Sequence, residues 1–167
     1  FISIILGMPI QLLPHVLSEK IPEDYINLMG HMNIHYYVKI FNQAALNFFV
    51  SFGLDEEYLE KNQGAAFALE QHIRYLKEVR EGDLVHIYLR ALERSEKAIH
   101  YMLFMVHDKD DSLAATSEMV SVYIDKNTRT TTKFPKDIAE QIDPILSEHN
   151  SLNWDAPVCG VMGPRKI

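Results

Sequence analysis

The hydrophobic residues of this chain change their spacing once, and that change restricts the possible folds more than any other feature. Over residues 35–52 they recur every three to four positions, which predicts a helix. Over residues 65–126 they alternate with polar residues, which predicts strands. The apolar residues of the helical segment are Tyr37, Ile40, Phe41, Ala44, Ala45, Phe48, Phe49 and Phe52, with Val38 beside them. The chain is therefore expected to form an α+β fold.

The helical segment has recognisable ends and a very small polar face. Asn33 is expected to cap its N-terminus, and Gly53 follows the last apolar residue, where a helix commonly ends. Because few polar residues interrupt the stripe, we expect this helix to be mostly covered by protein.

Four strand-like segments follow, over residues 65–77, 83–94, 97–109 and 113–126. Turn residues at 81–83 and 108–111 predict tight reversals between them, and hence an antiparallel meander. In the first segment, Phe67, Leu69, Ile73 and Tyr75 share one face. A large antiparallel sheet needs cover on its apolar face, and the helix is the obvious candidate to supply it.

The two ends of the chain predict smaller elements. Residues 10–21 have a broken alternation interrupted by Pro14, which indicates an edge-type strand. Residues 134–148 have apolar residues at helical spacing and predict a peripheral helix that Pro144 should kink. The last twenty residues are expected to be irregular. With no repeat or linker in the chain, we expect one domain over residues 8–134, with residues 135–167 packed on it.

Composition excludes several classes of protein. The chain has 16 Lys+Arg against 23 Asp+Glu, a net charge of −7, which argues against nucleic-acid binding. The single cysteine, Cys159, allows no intramolecular disulfide and fits a cytoplasmic location. The apolar run at residues 1–6 is too short to span a bilayer and lacks the flanks of a signal peptide. We therefore expect no membrane partner.

One stretch before the helix resembles a known motif. Residues 25–33, which read Tyr-Ile-Asn-Leu-Met-Gly-His-Met-Asn, are followed by Tyr36 and Tyr37 and resemble the D-x-x-G-H-M-N…Y signature of hotdog acyl-CoA thioesterases. Residues 70–78, 82–83, 115–118 and 123–125 also resemble the 4-hydroxybenzoyl-CoA thioesterase-like branch, particularly betainyl-CoA thioesterases. The resemblance extends from about Leu12 to Pro135.

This resemblance implies a fold, an activity and an assembly. The fold is a hotdog domain, in which an antiparallel sheet of about five strands wraps a long central helix. The activity is hydrolysis of an acyl-CoA to the free acid and CoA, without a redox cofactor or metal. The assembly is a homodimer whose sheets join edge to edge, with a tetramer left open, and Glu70 or His72 would reach each site from across the interface.

The sequence departs from this pattern at two positions. In these enzymes the position of Asn27 is commonly an aspartate that acts as base or nucleophile, and that of Met29 is often an asparagine. Asn27 cannot take up a proton at neutral pH, so the usual base does not carry over. The alternative to hydrolysis is therefore a non-catalytic protein that binds acyl-CoA or an acyl group.

Thioester hydrolysis needs a site for the developing oxyanion and a group that positions or deprotonates water. The helix start at residues 30–33 offers N–H groups and the positive end of the helix dipole for the oxyanion. Asn27 would position the water, and His31, Glu70, His72 and Glu118 remain open as the base. The candidate residues are Asn27, His31, Asn33, Glu70 and Glu118 for catalysis, and Gly30, Met32, Tyr36, His72 and Thr116 for substrate binding.

Most of these residues also have a structural explanation. Asn27 could shape a turn, His31 could cap the helix, and Glu70 and His72 could lie on a solvated strand face. Glu118 stands on an otherwise apolar face, where an unpaired carboxylate is costly to bury, so it must pair, titrate high or border a site.

Two further groups were considered and set aside. His31 and His35 have the spacing of a HExxH metal site, but Met32 replaces its glutamate, so no metal is expected there. Cys159 is not expected to be a nucleophile, because no base can be placed near it.

The acyl group is not defined by the sequence. A betaine-type group would need aromatic walls around its quaternary ammonium, and Tyr25, Tyr36, Tyr37 and Trp154 are available for them.

Overall fold

The structure, a computed structural model, describes residues 9–164 of the 167-residue chain, so the apolar run at residues 1–6 lies outside it. Within residues 9–164 there are three α-helices: α1 (Ile34–Ser51), α2 (Glu56–Lys61) and α3 (Lys136–Asn150). The same residues form six strands: β1 (His15–Lys20), β2 (Gly64–Tyr75), β3 (Leu84–Arg94), β4 (Ala98–His107), β5 (Leu113–Asp125) and β6 (Thr130–Thr131). These bounds confirm the long helix, the edge-type strand, the four strand segments and the C-terminal helix predicted from the sequence.

The six strands form one sheet in the order β1-β3-β4-β5-β2, with β6 paired to β5. β1 runs antiparallel to β3, with Leu17 opposite Ile87. The simple meander predicted from the sequence is wrong for β2, which neighbours β5 and not β3. Each strand has two edges, and those of β3 are taken by β1 and β4. The turn at Gly82 reverses the chain, but it does not close a hairpin.

Helix α1 is amphipathic and begins where Asn33 was expected to cap it. Asn33 Oδ1 accepts the N–H of His35 at 3.4 Å. At the other end, Gly53 has a φ of +93° and its N–H donates to Val50 O. The buried residues of the helical segment are Tyr37, Ile40, Phe41, Ala44, Ala45, Phe48, Phe49 and Phe52.

The expectation that protein covers most of α1 is wrong for the single chain. Ile34, Val38, Leu46 and Val50 lie four or eight residues apart and are all exposed. They share the face opposite the buried stripe, because residues four apart lie above one another on a helix. Val38 therefore belongs to the exposed face rather than to the core.

Strand β2 ends the sheet and exposes apolar side chains. Leu69 is 53% exposed, Tyr75 50% and Phe67 40%. At its first residue the strand is tightly packed, because a Cβ on Gly64 would lie 1.6 Å from Tyr123 Oη. This strand therefore combines a fixed start with an uncovered apolar face.

The polar connection predicted after α1 contains the short helix α2, which the sequence reading missed. Asp55 caps it by accepting the N–H of Tyr58 at 2.7 Å. Asp55 followed by two glutamates is an N-terminal signal that could have identified it. Helix α3 continues through Pro144 and buries Ile138, Ile142, Leu146 and His149.

The contacts divide the described residues into two compact units. The first comprises the described residues up to Asn47, with 73–89 and 103–117. The second comprises 48–72, 90–102 and the described residues from Glu118 onward. None of the helices in the described part of the chain has the length and hydropathy needed to cross a membrane.

Candidate functional site

The residues that resemble the thioesterase motif form a closed loop in the first unit. We call residues 25–33 the Asn27 loop. Its two ends are joined by bonds from Asn27 N–H to His31 O and from Asn33 N–H to Tyr25 O, at 3.0 and 2.9 Å. The N–H of Gly30, at a φ of +80°, donates to Asn27 O at 3.0 Å. Backbone bonds therefore fix the shape of this loop.

The side chain of Asn27 supports the same turn. Its Oδ1 accepts the N–H of Met29 at 2.8 Å, the pattern of an Asx turn. Its amide nitrogen lies 3.3 Å from His31 Nδ1. The structure thus gives Asn27 the turn-forming role that the sequence left open, and places it in contact with the nearest histidine.

His31 Nδ1 has two neighbours that favour different protonation states. Asn27 Nδ2 can donate to it, and Met32 O, also at 3.3 Å, can accept from it. One nitrogen cannot accept and donate at once, so the two contacts stabilise different tautomers of the ring. When Nδ1 donates to Met32 O, Nε2 carries the free lone pair.

The expected oxyanion site at residues 30–33 is largely occupied by the loop's own bonds. Met32 N–H donates to Val79 O at 2.7 Å, and the N–H groups of Gly30 and Asn33 also have acceptors. The backbone hydrogen bonds between described residues around the loop do not include the N–H groups of His31 and Ile34. These two groups, at the positive end of α1, remain for an oxyanion.

A cavity of about 360 Å³ lies beside this loop, within the first unit. Its lining residues are His31, Met32, Ile34, Tyr37, Tyr75, Leu76, Lys77 and Glu78. Burial raises the pKa of Tyr37. The hydrogen bond from Arg80 lowers the pKa of Glu78, so this carboxylate is charged at neutral pH. The cavity therefore presents a histidine, two tyrosine rings and a carboxylate.

The tyrosines proposed from the sequence for a cationic acyl group belong to two separate ring pairs. Tyr25 and Tyr36 stack with centroids 3.9 Å apart, and Lys39 Nζ lies 4.7 Å from the Tyr25 centroid. Tyr37 and Tyr75 meet edge to face at 4.9 Å and 79°. Because the latter pair lines the cavity, it is better placed for a ligand than Tyr36, which was a sequence candidate.

A second group of polar residues lies in the second unit. We call His72, Glu93, His100, Glu118 and Cys159 the Glu118 cluster. Glu118 is 1% exposed, and its two oxygens accept from His100 Nε2–H at 2.9 Å and from Cys159 N–H at 2.6 Å. The prediction that Glu118 must pair or border a site is thus confirmed by two hydrogen bonds.

The histidines of the Glu118 cluster differ in burial. His100 lies on the fully buried strand β4, and its Nδ1 is 3.5 Å from Glu93 Oε1. The side chain of His72 is 41% exposed, and its Nδ1 is 4.0 Å from Glu118 Oε2. The structure therefore brings His72 and Glu118 together and adds His100, which the sequence reading missed. A histidine inside the apolar run at 98–106 needs a buried partner, and that was the available signal.

The expectation that no base lies near Cys159 is wrong. The thiol sulfur, a His72 ring nitrogen and a Glu118 oxygen all lie within 4.8 Å of one another. The reason is tertiary, because Cys159 lies beside Glu118 of β5 and His72 of β2, which are distant from it in sequence. His31 and His35 do not form such a group, since His35 Nδ1 is 3.1 Å from Asn33 Oδ1.

The described residues after α3, 151–164, are irregular, as predicted, and α3 and Trp154 contact β3 within the second unit. Arg90 donates to Trp154 O at 2.6 Å and lies 4.2 Å above the Trp154 ring. His149 Nδ1 accepts the N–H of Ala91 at 2.8 Å. Arg94 binds both carboxylate oxygens of Asp143 and lowers its pKa. These contacts join β3 to α3 and to Trp154.

The remaining candidate residues from the sequence differ in burial and position. Thr116 is buried in the first unit, Met32 is buried and lines the cavity, and Glu70 is half-buried on β2. Asn33 is half-buried and caps α1. Lys77, Tyr75 and Glu78 line the cavity although the sequence reading did not place them in the site.

The sequence of this chain matches a family model and several named relatives. The model of the thioesterase-like superfamily matches residues 22–142. A Rhizobium meliloti protein named L-carnitine dehydrogenase/betainyl-CoA thioesterase is 27% identical over 143 residues, covering 85% of this chain. The chain spans only 28% of the length of that relative.

Two further comparisons cover most of both proteins. A Pseudomonas aeruginosa protein named betainyl-CoA thioesterase is 22% identical, over 84% of this chain and 88% of its own length. A Staphylococcus aureus protein solved in complex with CoA is 26% identical, with a TM-score of 0.79, and the match covers 86% of this chain and 90% of that one.

Proposed function

The chain belongs to the thioesterase-like superfamily and has the hotdog fold, and on that premise we propose that it hydrolyses an acyl-CoA thioester to the free acid and CoA. One observation carries the proposal. His31 lines a cavity of about 360 Å³ at the N-terminal end of α1, where a base and free N–H groups occur together.

In this mechanism His31 is the general base. With Nδ1–H donating to Met32 O, Nε2 has the lone pair that removes a proton from water. The water oxygen attacks the thioester carbonyl carbon, and the oxyanion is stabilised by the N–H groups of His31 and Ile34 and by the helix dipole. Collapse of the tetrahedral intermediate breaks the carbon–sulfur bond, and the proton taken by His31 passes to the leaving CoA thiolate.

Asn27 acts through His31 in this mechanism. Its amide lies 3.3 Å from Nδ1 and can favour the neutral tautomer with the proton on Nε2, in which Nε2 is a hydrogen-bond donor and cannot act as the base. An aspartate there would instead accept the Nδ1 proton and favour the basic tautomer. This contrast fits a chain that hydrolyses thioesters more slowly than its Asn27→Asp variant would.

The test measures free-thiol release from a panel of short, aromatic, long-chain and betainyl acyl-CoAs. His31→Ala should lower kcat by about 100-fold or more, because a general base contributes roughly that factor. Asn27→Asp should raise kcat. Asn27→Ala should lower it, because loss of the Oδ1 that accepts the N–H of Met29 loosens the loop that carries His31, and this outweighs the release of Nδ1 from the amide. His35→Ala is the matched control, since His35 is exposed and does not line the cavity. Unchanged turnover in both His31→Ala and Asn27→Ala would remove the loop from the mechanism.

The second candidate is a non-catalytic acyl-CoA binding protein. The observation that favours it is Asn27, which cannot act as a base and whose Oδ1 already accepts the N–H of Met29. A binder would be stabilised against heat by acyl-CoA and release no thiol. If the natural chain is inert with every substrate while Asn27→Asp gains activity, this candidate replaces hydrolysis.

We also propose that the chain forms a homodimer through β2, with a tetramer as the larger assembly. The support is that β2 ends the sheet with exposed Phe67, Leu69 and Tyr75, and an unpaired apolar edge strand is prone to pair with a second copy. Such pairing would offer Glu70 or His72 to the partner's site. Sedimentation of the natural chain and of Leu69→Lys tests this, and two equal monomeric species would contradict it.

For the acyl group, we propose a small cationic one as the preferred substrate. The edge-to-face pair of Tyr37 and Tyr75, with the Glu78 carboxylate, could surround a quaternary ammonium in the cavity. Tyr75→Leu should then raise KM for betainyl-CoA and leave KM for acetyl-CoA within about twofold. Equal effects on both substrates would count against a cation site.

Two expectations complete the proposal. The reaction requires no redox cofactor, because water is the co-substrate and no electrons are transferred. A cytoplasmic location is proposed on the ground that the chain has one cysteine and can form no intramolecular disulfide.

A further inference from the structure

We propose that His72, Glu118 and Cys159 form a binding site for a divalent transition-metal ion, with zinc as the natural occupant. The three side chains offer an imidazole nitrogen, a carboxylate oxygen and a thiol sulfur, all within 4.8 Å of one another. These are the three donor types that zinc binds in proteins. The site shares no residue with the cavity beside His31, and it replaces the sequence-based expectation of a chain without a metal site.

The distances allow closure onto one ion. Zinc binds nitrogen and oxygen at about 2.0–2.2 Å and sulfur at about 2.3 Å, so tetrahedral ligand atoms lie roughly 3.3–3.7 Å apart. His72 Nδ1 and Glu118 Oε2 are 4.0 Å apart. A displacement of a few tenths of an ångström to about one ångström therefore brings all three atoms to bonding distance.

The mobility of the three groups is suited to such closure. Glu118 is buried and fixed by hydrogen bonds to both of its oxygens, so it provides a stationary ligand. The side chain of His72 is 41% exposed, and Cys159 lies on an irregular segment, so both can adjust. The exposed side of His72 leaves a fourth position for water.

A second layer of contacts orients the carboxylate. His100 Nε2–H donates to Glu118 Oε1 at 2.9 Å, while His100 Nδ1 lies 3.5 Å from Glu93 Oε1. Metal-binding carboxylates are commonly held by such outer hydrogen bonds, which tune their affinity for the ion. Oε1 accepts from His100, and Oε2 accepts the N–H of Cys159. Oε2, which lies 4.0 Å from His72 Nδ1, keeps a second lone pair that a metal can bind.

Charge also favours a cation at this position. Glu118 is an anion buried in the protein, and among the described residues its ion pairs are with histidines and include no lysine or arginine. A divalent ion would balance Glu118 and the thiolate of Cys159, which loses its proton on binding a metal.

Cobalt(II) is the probe for the first experiment, because a cobalt–thiolate bond gives a near-ultraviolet charge-transfer band. The full chain is purified without a histidine tag, stripped with a chelator, kept reduced and titrated with Co²⁺. We expect the band to saturate at one ion per chain and to disappear when Zn²⁺ is added. Because Cys159 is the sole cysteine in the sequence, the band can come from no other residue.

Three variants sharpen the test. Cys159→Ser should abolish the band, and His72→Gln should weaken Co²⁺ binding by at least about tenfold. The matched control is His86→Gln, which removes a histidine bonded to Asp108 at 2.9 Å in the other unit, far from any cysteine in sequence and without a role in the cluster. Both cluster variants change residues that are not fully buried, so their folds should survive.

A second readout is independent of cobalt. A thiol-specific reagent should modify Cys159 in the metal-free chain, and stoichiometric Zn²⁺ should slow that reaction at least about tenfold in the natural chain but not in His72→Gln. The proposal is overturned if the natural chain shows no charge-transfer band, if the band is the same in His72→Gln, or if Zn²⁺ leaves thiol reactivity unchanged. None of these outcomes depends on thioesterase activity.

Discussion

The Asn27 loop and the Glu118 cluster both bring polar groups together, but they do so over very different distances along the chain. The side-chain bonds of Asn27 join residues two and four positions apart. The bonds of Glu118 join residues 18 and 41 positions apart. The loop is partly exposed, whereas Glu118 and His100 are buried. A change in the loop should therefore act locally, while a change in the cluster should loosen several elements together.

The largest effect is expected for Glu118→Ala. Removing the carboxylate leaves His100 Nε2–H and Cys159 N–H without their acceptor in a buried setting. Breaking a buried pair of this kind should lower the free energy of unfolding by about 3 kcal/mol. Urea denaturation followed by circular dichroism measures the change.

Glu118→Gln is the control for this prediction. The amide keeps the shape and one acceptor, so part of the stability should return. If Glu118→Ala lost less than about 1 kcal/mol, which is the usual net value of one hydrogen bond, the cluster would be no more coupled than the loop.

A smaller effect is expected for Gly30→Ala in the loop. Gly30 has a φ of +80°, and a Cβ there would meet no atom within 4 Å. The cost is therefore backbone strain alone, about 1 kcal/mol for an alanine in the left-handed region. Gly30→Asn should lower the free energy of unfolding less than Gly30→Ala, because asparagine tolerates this conformation. The same denaturation experiment compares the two, and a larger loss for asparagine would contradict the argument.

Asn27→Ala should lower the free energy of unfolding less than Gly30→Ala does. It removes the acceptor for Met29 N–H, but this group is exposed and can bond to water instead. We expect a loss of about 0.5 kcal/mol in the free energy of unfolding. Asn27→Asp retains the acceptor and should leave stability unchanged within error. If Asn27→Ala were as costly as Glu118→Ala, the contrast between the two regions would be wrong.

The last prediction concerns pH and His149, which is buried near the C-terminal end of α3. Burial lowers the pKa of His149 below its ordinary value of 6.5; nearby Arg90 lowers it further, and Glu148 opposes the shift. As pH falls below 6.5, the unfolded chain takes up the proton first, so the free energy of unfolding should decrease until the pKa of the folded state is reached. Above that pH range His149 should have no effect.

His149→Gln should remove this part of the pH dependence. Denaturation of the natural chain and the variant between about pH 5 and 8 gives the comparison, with the pH range chosen around the ordinary histidine pKa. A difference between them that stays constant across the range would show that His149 is not the titrating group.

The same contrast explains which predictions from the sequence succeeded. Helix α1 and strands β2 to β5 follow from the period of the hydrophobic residues, which is a local property. The Gly53 terminus and the Asn33 cap also depend on near neighbours. The partner of β2 could not be predicted in this way, because pairing depends on which strand edges are free after the whole sheet has formed.

The residues of the candidate site also differ in whether a local stretch of sequence identifies them. Asn27, Gly30, His31 and Met32 could be selected from sequence because they stand together in a short stretch that resembles the thioesterase motif. Glu118 was recognised as a buried carboxylate, but its partners were not. His100 comes from a neighbouring strand and Cys159 from the tail, and no local pattern connects them.

The sequence by itself determined the α+β class of fold, the long helix and the strand segments, because each depends on residue spacing over a few turns or alternations. Its resemblance to the thioesterase motif indicated the hotdog fold and the loop at the helix start. Tertiary structure alone decided that β2 ends the sheet beside β5, that Tyr75 and Glu78 share a cavity with His31, and that Cys159 meets Glu118 and His72. The physical reason is that these contacts join distant parts of the chain and form only when packing closes the loops between them.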